Sequence, residues 1–276
     1  MPAPAPGRGP TSGGELGGRQ GVGARLRPHP ALSGAHRVVC VGLPKVPVIT
    51  KVSQDGSTMR IGILGTGGMA TTLGGAWVRA GHDVLVGGRD RAAAQATAGR
   101  IGAAGHGTLA DAAAYGDVVL AAVPADVAPE LVKGVADVLG GRTVIDCTNP
   151  VVPTDDGLML STGGTTSIAL RMAEAAPDAH VVKAFNLCHD SIWTLPRPAF
   201  EGAPLAVPYC GDDPGALDRT AALITSMGCT PIPCGGLARA VYVEATAALA
   251  IGIWMNGAEP RFAFPVPMAA PGTPAS

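Results

Sequence analysis

Apolar and polar positions switch period again and again from residue 59 onward. "MRIGILG" (59–65) is a short, continuous apolar run, which predicts a strand buried on both faces. "MATTLGGAWVRAG" follows with Leu73, Ala76, Trp77 and Ala80 on one stripe and Gly81 at its end, which predicts a helix with a glycine stop. "DVLVGG" (83–88) reads as a second strand, "RDRAAAQATAG" (89–99) as an alanine-rich helix, and 101–105 as a weakly signalled third strand. "DVVLAAVP" (117–124) predicts a fourth strand. Residues 125–139 then predict a helix with Val127, Leu131, Val135 and Val138 on its inner face and Pro129 in its first turn. "RTVIDCTNP" (142–150) predicts a fifth strand ending in a turn. Beyond it come a helix at 165–176, strands at 180–185 and 204–210, a helix at 214–227, a strand at 229–233 and a last helix at 236–255. The expected class is therefore α/β: a doubly wound, mostly parallel sheet with additional C-terminal strands and a closing helix.

Residues 1–58 break this rhythm. They hold 11 glycines and 8 prolines, 19 of 58 positions, above the roughly 25–30% at which low-complexity disorder is the default. Such a stretch buries too little apolar surface to offset its ordering entropy. The expected organisation is a disordered leader at 1–58, a dinucleotide-binding domain at 59–178, a substrate-side α/β region at 179–264 and a disordered tail at 265–276. Met59 is the expected natural beginning of the folded enzyme.

The chemistry concentrates at the ends of strands. Gly65-Thr66-Gly67-Gly68-Met69-Ala70 is G-x-G-x-x-A between a strand and a helix. Gly65 permits the tight turn, Gly67 lets the backbone approach a pyrophosphate, and Ala70 is small enough for close helix–strand packing. The helix start then offers unpaired N–H groups and a positive dipole end to phosphates. This is the Rossmann fingerprint in its proper context. At the end of the second strand, where NAD binders place an acid, stand Gly87 and Gly88 followed by Arg89. A small pocket beside a guanidinium suits a 2′-phosphate, so NADP is expected over NAD. Arg91 offers a second charge, and Asp90 reads as a helix cap. Ala122, Val123 and Pro124 close the fourth strand, and Asn149 and Pro150 the fifth, where the ribose and nicotinamide are expected. On the second-substrate side stand Lys183, Phe185, Asn186 and His189. His189, the one histidine near a strand end, is the candidate general acid; the catalytic side chain stays open, and no metal site is expected.

Together these segments resemble a family. From Met59 to about Pro265 the chain resembles the NADPH-dependent reductases of coenzyme F420, a deazaflavin hydride carrier, and the related F420-dependent NADP oxidoreductases. The resemblance rests on "RIGILGTGGMA", "VGGRD", "VVLAAVP", "VVKAFN", "VPYCGDD" and the final helix with "MNG". It implies direct hydride exchange between nicotinamide and a deazaflavin stacked on it. The family's turn residues carry over onto Gly65, Thr66, Gly67, Gly68 and Met69, and its 2′-phosphate grip onto Arg89. The family often has Ser or Thr before that arginine, where this chain has Gly88. The second cofactor is expected near 185–189, where "FNLCH" departs from the family's pattern.

Composition narrows the remaining choices. A net charge of −1, with 15% charged residues, supplies no field for nucleic acid or an anionic membrane. Cys40, Cys147, Cys188, Cys210, Cys229 and Cys234 lack C-x-x-C spacing and read as reduced thiols of a cytoplasmic protein. The best membrane candidate, 241–255, falls short of the roughly 18–20 residues of a span and contains Glu244. The expected partner is a small-molecule hydride donor or acceptor, with a homodimer as the assembly. Two alternatives stay open. One is an NADPH-dependent imine or pyrroline-carboxylate reductase, which needs a long helical domain where strands resume here. The other is a non-catalytic NADPH-binding redox sensor.

Overall fold

The computed structural model describes residues 58–263. The expected leader (apart from Thr58), the tail and Cys40 lie outside the described residues. The first half winds β1 (Arg60–Leu64), α1 (Gly68–Arg79), β2 (Asp83–Gly87), α2 (Arg91–Ile101), β3 (Gly105–Gly107), α3 (Leu109–Tyr115), β4 (Val118–Ala121), α4 (Ala128–Lys133) and β5 (Thr143–Asp146). A hairpin follows, β6 (Val151–Thr154) and β7 (Gly157–Leu160), then α5 (Ile168–Ala175) and β8 (His180–Ala184). The rest comprises a two-residue ribbon, β9 (Ala199–Phe200) and β10 (Ala203–Pro204), then β11 (Ala206–Gly211), α6 (Pro214–Ser226), β12 (Thr230–Pro233) and α7 (Ala240–Met255).

Eight strands form one sheet in the order β12-β11-β8-β5-β4-β1-β2-β3. Every pairing in it is parallel except β11 with β8. This is the expected Rossmann-type doubly wound fold, with C-terminal strands extending the same sheet. Because β8 pairs directly with β5, the region after residue 179 shares a sheet with the first half of the chain's strands. Strands β4 and β5 are buried at every position, as apolar runs sandwiched between helices must be. The chain runs outward from β1 in one direction through β2 and β3, and from β4 in the other. The crevice beyond Leu64 and Ala121 is thus the topological switch point.

Several elements differ from the sequence reading. The helix expected at 125–139 is cut at Gly134 into α4 and a single 3-10 turn, Ala136–Val138. Its buried stripe is Ala128, Val132, Val135 and Leu139, while Val127 is exposed. Helix α3 and the β6–β7 hairpin have no counterpart in the expected elements. The third strand lies at Gly105–Gly107, later than the expected 101–105.

The closing helix is longer than the segment 241–255. With the 3-10 turn at Leu237–Arg239 it runs 19 residues at mean hydropathy 1.4, long and apolar enough by length and composition to cross a membrane. Its inner face, Ala240, Val243, Glu244, Ala247 and Ala248, is packed inside the protein. Tyr242, Leu249, Trp254 and Met255 stay exposed.

Candidate functional site

The turn after β1 is built for close approach. Gly65 has φ +129°, and a Cβ there would run into the carbonyl oxygen of Ala122, so only glycine fits. Its N–H donates to Gly87 O at 2.9 Å, which ties the turn to the end of β2. Gly67 caps α1 with no side-chain hydrogen bond, and open space surrounds the position a Cβ would take. The first turn of α1 carries no acid of its own. Amides without a cap, on a backbone open to contact, fit a pyrophosphate.

At the end of β2 a Cβ on Gly88 would stand 3.0 Å from Thr66 Cγ2, so glycine keeps this corner tight. Arg89 is exposed and has no hydrogen-bond or ion-pair partner among the described residues. Asp90 is committed elsewhere: its Oδ1 accepts from Ala92 N (2.8 Å) and Ala93 N (3.3 Å) as the N-cap of α2. The one acid in this corner is therefore held away from a ribose, while the neighbouring guanidinium is available to a 2′-phosphate.

A cavity of about 740 Å³ opens from this turn across the ends of β4, β5 and β8. Of the residues singled out in the sequence, Gly67, Gly68, Met69, Ala122, Val123, Pro124, Asn149, Phe185, Asn186 and His189 line it. Gly65, Thr66, Ala70, Gly88 and Arg89 are not part of its lining. Pro150 is buried outside the wall, its carbonyl accepting from Ser161 N at 2.7 Å.

Lys183 does not reach the cavity. It is fully buried and neither projects into a second-substrate site nor extends to solvent at the sheet edge. Its Nζ donates to Asp146 Oδ2 (2.9 Å), Glu244 Oε1 (2.9 Å) and Thr148 O (2.6 Å). Burial alone lowers an ammonium's pKa, but these two carboxylates outweigh it and hold Lys183 above its ordinary value. Glu244 is pushed up by burial against the pull of Lys183. The cluster braces the β5–β8 edge from beneath: Asp146 Oδ1 also accepts from Thr148 N (2.8 Å), which shapes the turn that presents Asn149.

Asn149 and Asn186 interlock. Asn149 Nδ2 donates to Asn186 O (2.8 Å), and Asn186 Nδ2 donates to Asn149 Oδ1 (3.0 Å). Phe185 adopts φ +65°, a left-handed conformation uncommon for a bulky side chain. It is held there by edge-on packing between Trp77 and Trp193, with ring centroids 5.7 and 5.4 Å away. That bend turns the chain from β8 into the cavity wall.

The sequence reading missed half of the cavity. Cys147 lies in the wall, its thiol pushed up to about 12 by burial and then by Asp146, so it is neutral and unreactive at neutral pH. Asp190 stands next to His189, whereas Phe200, Ile251 and Trp254 come from segments remote in sequence, and Trp254 lies 5.9 Å from the His189 ring. His189 Nδ1 meets Ser191 N (3.3 Å), Ser191 Oγ (2.9 Å) and Asp190 Oδ1 (3.2 Å). The five cysteines among the described residues are free, and no cluster there of three or more His, Cys, Asp or Glu suits a metal ion.

Comparison with known proteins gives this crevice a context. The metalloreductase STEAP3 of Rattus norvegicus is 31% identical over 209 residues, covering 72% of this chain; the chain spans 40% of that relative's length. A structure from Arthrobacter sp. FB24, described as an F420-dependent NADP-reductase, matches with TM-score 0.65 and 26% identity, over 72% of this chain and 96% of the other. A hypothetical protein of Sinorhizobium meliloti matches with TM-score 0.58 and 28% identity, over 67% and 88% of the two chains. Residues 60–150, which carry the glycine turn, the arginine corner and the ends of β4 and β5, match the family of coenzyme F420-dependent NADP oxidoreductases. This segment, about a third of the chain, is where its likeness to the coenzyme F420-dependent NADP oxidoreductases is concentrated.

Proposed function

We propose that the protein transfers a hydride between NADP(H) and a deazaflavin of the F420 type, the nicotinamide and the deazaflavin lying face to face in the 740 Å³ cavity. The observation that carries this reading is the cavity's mixed lining. The glycine turn and the ends of β4 and β5 contribute Gly67, Gly68, Met69, Ala122, Val123, Pro124 and Asn149, and later segments add the apolar and aromatic Phe200, Ile251 and Trp254. In this reading Gly67 to Met69 hold the pyrophosphate, Arg89 the 2′-phosphate, and Ala122 to Pro124 with Asn149 flank the nicotinamide. The nicotinamide supplies the hydride chemistry when bound. The chain's own residues align the rings and exclude water, which such a transfer chiefly requires. Cys147, neutral in the wall, offers no competing nucleophile.

The test is to mix the purified full-length chain with NADPH and oxidised F420 and follow both absorbance bands. Stoichiometric loss of both supports the reading. Turnover with imines, flavins or ferric chelates in place of F420 assigns a different acceptor, and tight NADPH binding without any turnover supports a redox sensor instead.

A further inference from the structure

A glycine that the fingerprint does not demand stands at Gly68. It does not have the positive φ of Gly65, so the backbone itself does not call for it. The reason lies across the groove: a Cβ on Gly68 would run into Oδ2 of Asp190, and its only near neighbours are that oxygen and its carboxyl carbon. Asp190 opens the 3-10 turn Asp190–Thr194, and this turn is clamped onto α1. Trp193 is buried against Phe185, and its carbonyl accepts from Arg79 Nη2 of α1 at 2.9 Å. Helix α1 has neither a capping side chain nor an acid in its first turn. A carboxylate more than a hundred residues away in sequence thus stands at the positive end of α1.

We infer that Asp190 is an internal anion holding the phosphate seat of α1 in the cofactor-free protein, and that NADP(H) must displace it. The inference rests on the NADP(H) assignment of this site. A carboxylate and a diphosphate brought to the same helix start repel each other. Asp190 is partly exposed, so its side chain has solvent to turn into while Trp193 stays anchored. Asp190 therefore weakens cofactor affinity and speeds release, and Gly68 is glycine so that the carboxylate can reach its seat.

The experiment titrates NADPH into the full chain, its Asp190→Asn variant, its Gly68→Ala variant and the double variant, after equal thermal unfolding has shown all four folded. Asp190→Asn lowers the Kd at low salt by about five- to tenfold, the size of one short-range charge repulsion in water. That gain shrinks as salt shortens the screening length below about 10 Å. In the Gly68→Ala background, where the methyl already pushes the carboxylate aside, Asp190→Asn adds nothing further. Unchanged or weaker binding by Asp190→Asn overturns the inference while leaving the cofactor assignment standing. Failure of all four proteins to bind NADPH overturns both.

Discussion

The ammonium of Lys183 stands 2.9 Å from a carboxylate oxygen of Asp146 and 2.9 Å from one of Glu244, and all three side chains are sealed from solvent. One cation thus serves two acids, and Glu244 Oε2 has no hydrogen-bond partner among the described residues. Lys183→Met should leave two buried carboxyls facing each other and cost about 3–5 kcal/mol of stability, the usual penalty for breaking a buried pair from one side. The triple variant Lys183→Met, Asp146→Asn, Glu244→Gln should recover part of that loss. Urea denaturation of the two proteins checks this; a loss below about 1 kcal/mol for Lys183→Met would mean the cluster is not the brace described.

Two glycines of one turn should respond in opposite ways. Gly65→Ala meets both a positive φ and the Ala122 carbonyl, so it should lower stability by about 1–3 kcal/mol and abolish NADPH binding. Gly67→Ala has open space and an ordinary φ of −81°, so it should fold normally. Its methyl group projects where a cofactor backbone must approach, so NADPH affinity should still fall. Paired thermal melts and cofactor titrations separate the two effects.

Arg89→Ala should discriminate between cofactors. A charge-assisted hydrogen bond contributes roughly 1.5–3 kcal/mol, so NADPH affinity should fall about ten- to a hundredfold. NADH, which lacks the 2′-phosphate, should bind as before. An equal loss for both would place the guanidinium away from that phosphate.

How much of this was readable in advance follows the range of the interactions. The turn at Gly65 and the cap at Asp90 are decided within a few residues, and both were legible. Helix α4 was not, because a period of 3.6 fits both the stripe through Val127 and Leu131 and the stripe through Ala128 and Val132. Tertiary packing and Gly134 chose the second. Lys183 looked like a site residue because it ends a strand, yet its two acids lie 37 and 61 positions away and hold it below the cavity floor. Asp190 and Trp254 enter the site only through the packing of Trp193 on α1 and of α7 on the sheet, which no local pattern encodes.

Trp254 should matter to the acceptor and not to NADPH. It lines the cavity from α7, with its indole exposed and beside His189. Under the proposed hydride exchange, Trp254→Ala should raise the KM for a planar acceptor about tenfold, within the 0.5–1.5 kcal/mol range of an aromatic pair plus lost apolar contact. The NADPH Kd should not move. A matching loss of NADPH affinity would place the indole on the cofactor side instead.

His82 links the start of β1 to the end of α6 and should make stability depend on pH. Its Nδ1 accepts from Met59 N at 3.2 Å, which leaves Nε2 to donate to Ser226 Oγ at 3.0 Å. Burial holds its pKa below the ordinary imidazole value, against a weaker upward pull from Asp83. The folded protein therefore resists a proton that the unfolded chain accepts near pH 6.5. The stabilising contribution is present above that pH and is lost as pH falls toward the depressed folded value. His82→Gln cannot titrate, so its stability deficit relative to the parent should narrow as pH drops from about 7.5 to about 5.5. Urea denaturation midpoints across that range measure it, and a constant deficit would show that His82 takes up its proton equally well in both states.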